Sequence, residues 1–139
     1  MRTSGETPAI VPVALLREAL ARYGVVQVRA LGASMVPLIP NGSICEIIAA
    51  PAESLRVHDI VAIGLGDTLV IHRLIETGPL GLRLSGDNTR AADPWAPIES
   101  LLGRVDRVVV PSGASRRVNG PAWRRLAWPL RVLGFLRRR

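Results

Sequence analysis

The sequence predicts a mainly β protein: an antiparallel, barrel-like sheet with one helix before it and a basic amphipathic helix after it. Three observations carry this. Glycine and proline together supply 24 of the 139 residues, a turn density that favours β-structure over a helical bundle. Short runs rich in Val, Ile and Leu recur between Val25 and Val110, each ended by turn residues. A single helical period precedes them and an Arg-rich apolar segment follows. A chain of 139 residues holds one core and has no room for a second. The expected organisation is an extension and helix over 1–24, a β domain over 25–112 and a basic tail over 113–139.

The elements follow in order. Residues 1–8 are polar. From Pro12, the residues Leu15, Leu16, Ala19, Leu20 and Tyr23 recur at helical spacing. Pro12 suits the first turn of that helix, and Gly24 suits its C-terminal cap. Strands are expected over 25–31, 43–49, 59–65, 68–76, 81–85 and 101–110. Pro40-Asn41-Gly42, the run from Gly64 to Asp67, and Gly78-Pro79 are turn signals between them. Two stretches, 32–41 and 86–97, interrupt the strands, and loops on a β-scaffold are where chemistry usually sits.

The charge excludes several mechanisms. All 18 basic residues are Arg, so no lysine amine can serve as a base. Cys45 is the single cysteine, so no intrachain disulfide forms. With one thiol and two histidines, none at metal-ligand spacing, no metal and no cofactor are expected. Residues 1–115 carry 10 Arg against 11 acids, whereas 116–139 carry 8 Arg and no acid, so the basic signal is a tail. The apolar stretch over 8–16 is broken by Pro12, and that over 126–136 holds Pro129 and Arg131. Both are too short to span a bilayer. In the tail, Leu126, Leu130 and Leu133 fall on one helical face one turn after Trp123, with Arg124, Arg131 and Arg138 beside them. Trp and Arg flanking a short apolar face suit a helix lying on a membrane surface. That mixing with Leu and Trp favours a membrane over nucleic acid, which is not expected as a partner. A helix folded back on the sheet is the third reading.

Three segments hold residues that chemistry could use. Ser34 lies in Gly32-Ala33-Ser34-Met35-Val36-Pro37, where small neighbours leave a hydroxyl accessible. His72 lies on the strand TLVIHRLIE, on the face shared by Val70 and Leu74. Asp87 and Asp93 lie in and after Gly86-Asp87-Asn88. Each alone has an ordinary reading as a turn or a half-buried strand residue. Taken together they offer a nucleophile, a base to take its proton and a carboxylate to orient that base, from three separate segments.

In their order, Gly32-x-Ser34-Met35-x-Pro37, Asp59-Ile60-Val61, Ile71-His72-Arg73, Gly86-Asp87-Asn88 with Asp93, and Gly103-Arg104-Val105 resemble the successive boxes of the type I signal peptidase family. That serine peptidase group includes LexA-like repressors. The resemblance runs from Val28 to Val110. Many members use a Ser–Lys dyad. Here His72 stands where that lysine would be, as in the Ser/His/Asp branch of endoplasmic-reticulum and archaeal-type enzymes. The resemblance implies a signal-peptidase-like β-fold and a serine endopeptidase that cleaves leader or signal peptides after small residues. On that likeness Ser34 is the nucleophile, His72 the base, Asp93 the third member and Asp87 a supporting carboxylate. The substrate would bind as an extended strand, and the tail over 121–139 would hold the protein peripherally on a membrane. Three departures stand out. Gly32 occupies the place of a serine whose hydroxyl helps bind the oxyanion. His58 occupies the place of the glycine before Asp59 and reads as a surface turn residue. The family's transmembrane anchor has no counterpart in this sequence. Gly32, the missing anchor and the small size motivate an alternative, a non-catalytic peptide- or membrane-binding module on the same fold.

Overall fold

The computed structural model describes residues 11–118. Helix α1, Val13–Tyr23, starts after Pro12 and ends at Gly24, whose φ of 78° supplies the left-handed cap conformation. Val13, Leu16 and Leu20 form its buried stripe. Val13 lies against Gly64, where any side chain would collide with it. The seven strands are β1 Val25–Arg29, β2 Ile44–Ile48, β3 Ile60–Leu65, β4 Thr68–Gly78, β5 Gly81–Ser85, β6 Leu101–Val109 and β7 Ser115–Arg117, with single 3-10 turns at Ala52–Ser54 and Ile98–Ser100.

All described pairings are antiparallel, in the order β1-β2-β6-β3-β4-β5. Strand β6, late in the chain, inserts between the β1–β2 hairpin and the β3–β4–β5 meander. Strand β7 pairs with the far half of β6, where Val108 faces Arg116. The sheet is buried on both faces. One core gathers Cys45, Ile47, Ile60, Ala62, Val105 and Val108 under α1, and the other gathers Val61, Ile63, Leu74, Leu82 and Leu84. This is the alternation expected of strands whose neighbouring side chains leave on opposite sides. Val26 and Val28 of β1 and Leu69 and Ile71 of β4 pack on the same first core, so the sheet curls around it. Irregular registers at Glu46/Ile47, Ala62/Ile63 and Leu74/Glu76 sharpen the bend.

The mainly β, antiparallel architecture with one preceding helix is therefore observed. The sheet curls but is not closed into a barrel, because no pairing joins β1 to β5 among the described residues. Closure needs a pairing between those edges, and β5 instead bridges at Leu82 to Ala96. The sheet also reaches further than residue 112. Ser115–Arg117 forms a strand, and Val118 is buried in the first core. The C-terminal amphipathic helix falls on residues outside those described. No helix among the described residues is long and apolar enough to cross a membrane.

Candidate active site

Ser34 sits in the connection between β1 and β2. That connection is closed at its base by Ala30 N–H to the Ser43 carbonyl at 2.8 Å and Gly42 N–H to the Ala30 carbonyl at 2.7 Å. The Gly32 N–H donates to Asn41 Oδ1 at 2.7 Å. Met35, Leu38 and Ile39 plunge into the first core and pin the loop, so Ser34 rides on a turn with a fixed underside. His72 stands mid-strand on β4, opposite Val61. Asp93 arrives on the segment after β5. Its N–H donates to the Leu84 carbonyl at 2.8 Å, and Leu82 and Ala96 exchange two main-chain hydrogen bonds of 2.8 Å. The approach of Ala96 is so close that only glycine fits at position 81. Trp95 locks the segment further, stacking under the Arg83 guanidinium at 5.8 Å.

These supports bring three side chains into one line. Ser34 Oγ lies 3.0 Å from His72 Nε2, and His72 Nδ1 lies 2.5 Å from Asp93 Oδ2. An ionised carboxylate only accepts, so Nδ1 carries the ring proton and donates it to Asp93. The neutral ring then presents the Nε2 lone pair to the Ser34 hydroxyl. The His72 and Asp93 side chains are 14% and 29% exposed, so the line is shielded from water yet reachable. A hydroxyl so placed can lose its proton to the ring as it attacks an electrophile.

Asp87 is occupied elsewhere. Its Oδ1 accepts from Arg73 Nε at 2.8 Å and its Oδ2 from Arg73 Nη2 at 2.7 Å, both side chains fully buried. Arg73 Nη1 donates to the His58 carbonyl at 2.8 Å. Because Arg73 follows His72 directly, it leaves the opposite side of β4 and ties that strand to the loop over 86–89. Such a pair is costly to break, since one partner alone is an uncompensated buried charge. Sequence reading missed Arg73, although its position beside His72 and the fork geometry that suits a carboxylate were visible.

Two further residues complete the floor. Gly86 comes so close to the pair that a Cβ there would stand 2.7 Å from the Ser34 carbonyl oxygen and 3.2 Å from His72 Nε2. Asn88 reaches the main chain on both sides of the Ala33–Ser34 link. His58 lies in a turn, as expected, but not fully at the surface. It is half-buried with φ of 84°, a left-handed conformation that glycine adopts without strain. It is the third residue of the turn closed by Asp59 N–H to the Arg56 carbonyl at 3.0 Å, the position at which a type II turn takes a positive φ, and its carbonyl receives Arg73. Among the described residues no cluster of His, Cys, Asp or Glu could hold a metal ion. Comparison with known protein families and with curated proteins finds no match for this chain.

Proposed function

We propose that this protein is a serine endopeptidase of signal peptidase type, with Ser34 as nucleophile, His72 as general base and acid, and Asp93 as the group that orients His72. The observation that carries the reading is the hydrogen-bonded line from Ser34 through His72 to Asp93. In the reaction Ser34 Oγ attacks the scissile carbonyl carbon while its proton passes to His72 Nε2. The tetrahedral intermediate collapses, the C–N bond breaks, and His72 returns the proton to the leaving amine. Water then attacks the acyl ester, giving a proton to His72 Nε2; the intermediate collapses, the ester C–O bond breaks, and His72 returns that proton to Ser34 Oγ. Asp93 stabilises the imidazolium formed in each half. Asp87 supports the site from behind through Arg73.

The substrate in this reading is a leader or signal peptide bound as an extended strand and cut after small residues. Strand β1 favours this mode: among the described residues β2 pairs with it on one side only, and it runs directly into the Ser34 loop. The curled antiparallel sheet is compatible with the barrel-like scaffold that this reading calls for. The charge imbalance supports a peripheral membrane location, with the segment 121–139 on anionic lipid and nucleic acid not a partner. Full-length protein should sediment with anionic vesicles at moderate salt, and a chain ending at Val118 should not. If both behave alike, the membrane assignment fails.

One observation favours the alternative of a non-catalytic peptide-binding module. Gly32 has no side chain to bind an oxyanion, and losing one such donor typically costs about 10²–10³ in rate. Incubation with a leader peptide carrying Ala at the cut site, followed by mass analysis, separates the two readings. Cleavage by the wild type that is lost in a folded Ser34→Ala variant supports the peptidase. Equal cleavage by both, or by neither, refutes it.

A further inference from the structure

The peptidase reading leaves one requirement open, the groups that receive the oxyanion. Position 32 does not supply a hydroxyl, and its φ of 94° disfavours any side chain there. The main chain around Ser34 offers another solution. The Ala33 carbonyl accepts from Asn88 Nδ2 at 3.1 Å, and the Ser34 carbonyl accepts from the Asn88 N–H at 2.8 Å. Both peptide bonds are trans, since the cis bond of this loop is Val36-Pro37. In a trans peptide the carbonyl and the following N–H point to opposite sides. The Ala33 carbonyl also accepts from the Val36 N–H at 3.2 Å, so the turn and Asn88 together hold both carbonyls towards Asn88 and face the N–H groups of Ser34 and Met35 away from it. Neither of these N–H groups has a protein acceptor among the described residues. The turn that follows is closed by Ile39 N–H to the Met35 carbonyl at 2.9 Å, which fixes the far side of the same peptide chain.

We propose that Asn88 is a positioning residue, and that it presets the Ser34 and Met35 N–H groups as the oxyanion donor pair that replaces the missing side chain at position 32. Consecutive main-chain N–H groups in a turn form an anion-binding concavity, and donors fixed before the reaction need no reorganisation during it. The inference rests on the peptidase reading above. The Asn88 hydrogen bonds go to main-chain carbonyls of the Ser34 loop and not to Ser34 Oγ or the His72 ring. Its own main chain is anchored independently of its side chain, because the loop over 86–89 is held by the buried Arg73–Asp87 pair and by Thr89 Oγ1 on the Gly86 carbonyl at 3.0 Å.

The test uses Asn88→Ala and Asn88→Asp. The second keeps the volume and the main-chain N–H but replaces the side-chain donor by an acceptor. With a leader peptide, both variants should keep KM within about threefold while kcat falls about 10- to 100-fold, the scale of a small misplacement of reacting groups. A peptide aldehyde, which forms a tetrahedral adduct on the nucleophile, should lose affinity by the same factor as kcat/KM. Melting temperatures should stay near that of the wild type. Unchanged kcat, a loss confined to KM, or undiminished aldehyde affinity overturns the proposal. Failure of both variants to fold assigns Asn88 a structural role and overturns it too. Failure of the reading beneath it looks different: the wild type itself then shows no Ser34-dependent turnover.

Discussion

Gly86→Ala adds one methyl group at the point where the candidate site is tightest. The new Cβ would stand 2.7 Å from the Ser34 carbonyl oxygen, 2.7 Å from Thr89 Cγ2 and 3.2 Å from His72 Nε2. Two of these fall about half an ångström or more inside the usual contact of 3.5–4.0 Å between carbon atoms, so something must move. Thr89 can give, but the Ser34 carbonyl is held by the Asn88 N–H. Relief therefore comes from shifting the loop over 86–89 away from Ser34, or Ser34 away from His72. Overpacking of this kind costs roughly 1–3 kcal/mol, which corresponds to roughly 4–12 °C in melting temperature for a domain of this size. The 3.0 Å separation of Ser34 Oγ and His72 Nε2 should lengthen, with a fall of about 10- to 100-fold in kcat/KM. Thermal melting and leader-peptide cleavage on one preparation measure both effects. A variant with wild-type melting and wild-type turnover would refute the close packing around the site. Lowered melting with undiminished turnover would refute its coupling to Ser34.

The two aspartates should separate cleanly. Asp93→Asn should leave folding intact and depress turnover strongly, since an amide no longer holds the His72 ring proton on Nδ1; equal turnover would exclude Asp93 from the site. Asp87→Asn should instead cost about 3–5 kcal/mol of stability in urea unfolding, because Arg73 is left as a buried charge without its partner; an unchanged midpoint would contradict this. Burial pushes the Cys45 thiol up from 9.0 to about 11, so the unfolded chain ionises there first. Its contribution to stability is complete below about pH 9 and is lost as pH rises towards 11, on the order of 2–3 kcal/mol. Cys45→Val should flatten that alkaline decline, and an equally steep decline in the variant would assign it to other groups.

Much of the architecture was legible because it is local. The helix was bracketed by Pro12 and Gly24, and six strands announced themselves by apolar runs between turn residues. Strand β7 was missed because Ser115–Arg117 carries two arginines and no apolar alternation. Its pairing to β6 is decided by the neighbour and not by its own composition. The insertion of β6 between β2 and β3 was equally invisible, since strand order over long separations leaves no mark on periodicity. At the site, Ser34, His72 and Asp93 could be singled out by residue type, and the likeness to a family ranked the two aspartates. Nothing in the local sequence distinguished an aspartate forked onto Arg73 from one bound to a ring nitrogen. The close approach at Gly86 and the clamp from Asn88 depend on contacts between loops more than fifty residues apart. The left-handed backbone of His58 left no mark either, because it sits at the third position of the Arg56–Asp59 turn, where the usual signal is a glycine.

The central claim is that Ser34 and His72 act as one catalytic unit. A double-mutant cycle measures this directly, using leader-peptide turnover of the wild type, Ser34→Ala, His72→Ala and the double variant, each shown to be folded. The account predicts that each single change lowers the rate at least about 10³-fold and that the double change costs no more than either alone, as for residues that work together. Losses that multiply in the double variant, or a single variant that turns over near the wild-type rate, would contradict it.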